Sequence, residues 1–140
     1  VGCCGAGLHP VGEGPQGSLL LHGALQIATT TVTRFLWPSY ENTLAPTISV
    51  QYQIPRTGTI RNLRVSHGIP AGNGNRVVYT LRVNGVATAL FVAMASTAAV
   101  GSNLVDQIAV VAGDFIEIIV TKGLAIGASP VNITATMEYV

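Results

Sequence analysis

Three histidines, two adjacent cysteines and six acidic side chains are the groups of this 140-residue chain with the widest chemical repertoire. His9, His22 and His67 are far apart, and no two have a metal-ligand spacing. Ser66 and His67 are neighbours; on a strand they point to opposite faces and cannot act as nucleophile and base. Asp106 and Asp114 flank one expected strand and Glu117 follows three residues later. They read as turn and solvent-facing acids, not as a carboxylate pair for acid–base work. No loop collects enough oxygen ligands for calcium. Cys3 and Cys4 are adjacent in a Gly-rich tail, a position that suits free thiols better than a bridge or a closed zinc site. Gly12-Glu13-Gly14-Pro15-Gln16-Gly17 matches G-x-G-x-x-G, but a dinucleotide loop needs a strand before it and a helix after it. Here Pro15 interrupts the motif and the chain beyond it reads as strand. The expectation is a non-enzymatic protein with no catalytic residues, no cofactor and no metal.

Composition bounds the partners. Apolar residues make up 49% of the chain and charged residues 9%, against roughly 25% charged in an ordinary soluble domain. A surface so poor in charge points to burial against other subunits. A net charge of +1 without a basic cluster argues against nucleic acid. The uncharged stretch 85–105 is long enough to span a bilayer. Its strand-like alternation and its Thr88, Ser96, Thr97, Ser102 and Asn103 argue against a membrane. No basic region precedes an apolar run at the start, so no signal peptide is read and assembly in a cell's cytoplasm is expected.

The elements that must position these groups are strands. Residues 1–20 carry six glycines with Pro10 and Pro15 and read as a flexible, extended arm. Residues 21–140 read as one domain. Expected strands run over Ala24–Phe35, Thr47–Ile54, Thr59–His67, Arg76–Val83, Val86–Met94, Leu104–Val111, Phe115–Thr121 and Val131–Val140. In the second, Ile48, Val50, Tyr52 and Ile54 share a face. In the third, Ile60 lies opposite Arg61, Leu63 and Val65. Asn84-Gly85 is a strong hairpin signal, because both central residues of a type I′ turn need positive φ. Ala112-Gly113-Asp114 marks a second turn. Eight strands without an amphipathic helix predict an all-β, antiparallel jelly-roll β-sandwich with an N-terminal arm.

The strand Phe115–Val120 is apolar on both faces, so one face fills the sandwich and the other awaits a partner. Candidate oligomer contacts are Phe115, Glu117, Ile119, Tyr139, Arg61 and Arg82, with arginines paired across subunits to Asp106, Asp114 or Glu117. Trp37 and Tyr40, beside Pro38, form a candidate ligand loop of a kind used for sugars, although packing at the sandwich edge explains them as well. Asn132-Ile133-Thr134 is a glycosylation sequon, not expected to be used.

Three segments carry a family resemblance: IPRTGTIRNLRV from Ile54, YTLRVNGVATALFVAMA from Tyr79, and IAVVAGDFIEIIVT from Ile108. Their P-x-x-G-x-x-x-N-L opening, R-V-N-G hairpin and V-x-x-G-D turn resemble a pattern of bacteriophage virion surface proteins, capsid decoration proteins and fibre heads. They are also similar to the trimeric jelly-roll heads of the TNF/C1q-like group, including the C-terminal domains of collagen-like exosporium proteins. The collagen-like stalk of the latter and the fibrous repeat of fibre proteins are missing here. The resemblance implies a homotrimer with apolar strands facing a three-fold axis. It implies a structural protein that decorates or cements a capsid, located on the virion surface and attached through its arm. A glycan- or receptor-binding head and a spore-surface head are the alternatives.

Overall fold

The structure, a computed structural model, describes residues 18–27, 33–41, 43–68, 76–95, 97–122 and 131–140. The expected arm up to residue 17, both cysteines, His9 and the loop 69–75 lie outside them. The described residues are all-β and form two antiparallel sheets. Ten segments occur in chain order: β1 (Ser18–Gln26), β2 (Thr33–Phe35), β3 (Trp37–Pro38), β4 (Tyr52–Gln53) and β5 (Gly58–Ser66), then β6 (Val77–Val83), β7 (Val86–Met94), β8 (Val100–Val110), β9 (Phe115–Lys122) and β10 (Val131–Tyr139). The first sheet has the order β3-β1-β10-β5-β8. In the second, β2-β9-β6-β7, the short β4 also pairs with β9. The long pairings are nested: β1 with β10, β2 and β4 with β9, β5 with β8, and β6 with β7.

The core lies between the sheets. Ala24, Ile60, Leu63, Ile133 and Met137 from the first meet Tyr79, Leu81, Leu90, Ile116 and Ile118 from the second, all without solvent contact. Strict alternation builds β6, where Val77, Tyr79 and Leu81 point inward as expected. Asn84 and Gly85 turn the chain into β7 with φ of 52° and 79°, the pair of positive values that a type I′ turn requires. Gly58 opens β5 where a Cβ would stand 2.5 Å from the Tyr139 ring and from the Val140 carbonyl oxygen.

Four expectations are corrected. Ala24–Phe35 is not one strand: β1 starts at Ser18 in the first sheet, and β2 belongs to the second. Thr47–Ile54 forms a strand only at Tyr52–Gln53, and Ile48 stands 72% exposed, off the face it was expected to share with Ile54. Ala45 donates to the Gln26 carbonyl and Pro46 accepts from Phe35, but Pro46 has no N–H with which to continue a ladder. Ile60, Leu63 and Val65 are all buried on one face, while Arg64 is exposed. Against β10 the register shifts between Arg61 and Arg64, where β5 carries one extra residue; Asn62, at φ 56°, lies in this bulge and the alternation is reset. Finally, the strand expected at Leu104–Val111 starts earlier, at Val100. β7, with its expected bounds, bulges against β6, where the Thr88 hydroxyl donates to the Leu81 carbonyl at 2.8 Å and accepts from the Leu90 amide at 3.2 Å.

Candidate functional site

The carboxylates are held one by one. Asp114 closes its own turn, accepting from the Val111 amide and the Asn84 side chain, each at 2.9 Å. These bonds hold its carboxyl below the usual range. Asn84 also accepts from the Phe115 amide at 2.9 Å, which ties the two hairpin turns together. Asp106 accepts from Asn103 at 2.9 Å. Glu117, on the outer face of β9, is only 1% exposed. Arg82 lies 3.3 Å away, Gln51 donates at 3.2 Å, and the Ser49 hydroxyl donates to the other carboxylate oxygen. Segment 49–51 therefore covers this part of the second sheet, and the Arg82–Glu117 pair closes within the chain. Arg61 likewise pairs within the chain, with Glu138 at 3.3 Å. Asn62 donates to the same carboxylate at 2.8 Å and draws its pKa down first, ahead of Arg61.

The other candidates lie in different places. Tyr139 is buried, its hydroxyl donates to the Arg56 carbonyl, and the Arg56 guanidinium stands 5.1 Å from the ring centre. Phe115 is exposed and Ile119 half-buried, both on the outer face of β9. Trp37 and Tyr40 are half-buried along the β3 edge of the first sheet. The Trp37 indole donates to the Leu44 carbonyl at 3.2 Å, and Tyr40 donates to Asn132 at 3.3 Å. The Tyr40 ring lies over Gly23, with Cδ1 at 2.8 Å from where a Cβ would stand. Both aromatic rings thus pack on the sandwich edge.

The most open apolar surface lies at the opposite edges of the two sheets. Val105 of β8 is 86% exposed, and Leu104, Val100 and Phe91 of β7 are exposed near it on the edge strands. The candidate contacts read from the sequence did not include these residues. The signal was present, because all four fall within the charge-free stretch 85–105 that was weighed as a membrane span. No helix among the described residues is long and apolar enough to cross a membrane. Beside this edge, the outer face of the first sheet carries a shallow groove of about 390 Å³ that includes Arg64, Ser66, Ser102, Thr134 and Thr136. Its hydroxyl lining, with Ser66 and Thr134 at 2.7 Å, suits polar contacts. Among the described residues no three His, Cys, Asp or Glu side chains form a cluster able to hold a metal. No protein-family model and no curated protein matches the sequence.

Proposed function

We propose that the chain is a non-enzymatic jelly-roll module that acts as a homotrimeric structural protein on a bacteriophage virion, decorating or cementing the capsid or heading a fibre. The nested pairing of first strand with last, second with seventh, third with sixth and fourth with fifth supports the jelly-roll reading once β2 and β4 are counted as one strand and the two-residue β3 is left out. The observation that carries the oligomer is the open apolar edge around Val105, in a chain with 9% charge. Removing such side chains from water drives association, at about 25 cal/mol per Å² of apolar area. The trimer setting and the particle rest on the resemblance in the strand and turn motifs, and the Gly-rich residues 1–17 are the proposed attachment to the shell. A sugar-binding head would need the faces of Trp37 and Tyr40 open to a ligand; their packing favours the structural role.

Val105→Glu tests this reading. Its side chain is solvated in the isolated chain, so fold stability should change by no more than about 0.5 kcal/mol. On gel filtration the wild type should elute as an oligomer and the variant as a monomer with the same circular dichroism. Unchanged oligomerisation in the variant would place the contact elsewhere.

A further inference from the structure

Two histidines lie in the seam between the sheets, each against a tyrosine of the opposite sheet. His22 of β1 stands in one inner row with Ala135 of β10 and Val65 of β5. It is 0% exposed, and its ring stacks on Tyr52 of β4 at 5.4 Å and 30°. Neither ring nitrogen has a hydrogen-bond partner among the described residues. His67, just beyond β5, is buried and meets Tyr79 of β6 edge-on, with ring centres 5.5 Å apart. Its Nε2 hydrogen-bonds the Tyr79 hydroxyl, while Nδ1 has no partner. Both contacts therefore join the first sheet to the second.

A neutral imidazole is tolerated in such a place, but an imidazolium is not. Protonation makes both ring nitrogens donors and adds a charge. Among the described residues the seam offers His22 no acceptor and His67 a phenol oxygen. We propose that the two histidine–tyrosine contacts form an acid-operated latch: neutral pH holds the sheets together, and mild acidification parts them.

The direction follows from linkage. Burial alone pushes both histidines from 6.5 down to about 4, and no charged group contributes. The facing groups, Tyr52 and Tyr79, are themselves pushed upward by burial and stay protonated. Lys122, buried in the inner row of β9 with Ile118 and Val120, is a cation whose pKa is lowered by burial first and by Arg34 second. A histidine freed to solvent binds its proton first, at its ordinary pKa. The closed sandwich is therefore at full stability above pH 6.5 and loses it as pH falls toward about 4. Within that window each histidine shifts the equilibrium toward the open form by about tenfold per pH unit. The lowered carboxyls of Asp114 and Glu138 act at more acid pH.

The test compares the full wild-type chain with His22→Phe and His67→Gln, singly and together, by urea unfolding from pH 7.5 to 4.5. Phenylalanine keeps the stack on Tyr52, and glutamine keeps an uncharged partner for Tyr79. The wild-type unfolding constant should rise about 100-fold per pH unit in mid-window relative to the double variant, and about tenfold relative to either single variant. Parallel pH curves for wild type and double variant would overturn the latch. If a variant fails to fold, imidazole NMR of the wild type decides. Two rings that stay neutral until amide exchange in β1 and β5 accelerates support the latch. Two rings that titrate near 6.5 in an unchanged fold refute it.

Discussion

Glu117→Ala should destabilise the protein by about 1–3 kcal/mol, the usual cost of leaving buried hydrogen-bonding groups without their partner. Arg82, partly exposed and also bonded to the Gly85 carbonyl, would lose the carboxylate it faces at 3.3 Å, and Ser49 and Gln51 would lose their acceptor. Equilibrium denaturation measures the loss. Replacing the pair together, as Glu117→Leu with Arg82→Met, should cost much less, because no charge is then stranded. Equal losses in the single and paired variants would show that packing of segment 49–51, and not the ion pair, is what Glu117 supports.

Leu63→Ala should cost about 2–5 kcal/mol, the range for emptying a fully buried leucine site. The prediction separates two registers of β5. With uninterrupted alternation Leu63 would stand opposite Ile60 with Arg61, and truncation would change stability by about 0.5 kcal/mol or less. With the bulge at Asn62 it enters the core beside Ile60. Denaturant midpoints of Leu63→Ala and Ile60→Ala should then fall together, whereas a near-silent Leu63→Ala would contradict the bulge.

That position shows where the sequence was legible and where it was not. β6, the Asn84-Gly85 turn, β7 and the turn before β9 follow from local chemistry: period-two apolar spacing and residues that accept positive φ. Asn62 satisfies the same φ condition in mid-strand, but only the pairing with β10 fixes a bulge there. Thr47–Gln51 alternates like a strand, yet its polar side chains bond Glu117 in place of a ladder. Nothing local announces that long-range partner. For the site, the shortage of charge was readable from composition. Which apolar residues stay open was not, because Val105 lies where β8 carries extra residues against β5, and Phe91 lies on the outer face of an edge strand whose Leu90 and Val92 are buried. His22 and His67 read as isolated histidines because the tyrosines that meet them come from other strands.

The central claim is that this sandwich works as an oligomer. Multi-angle light scattering at neutral pH tests it most directly, on the intact chain at micromolar concentration. A single species of three times the 14.5 kDa chain mass is the result expected; a monodisperse species of one chain mass would contradict it.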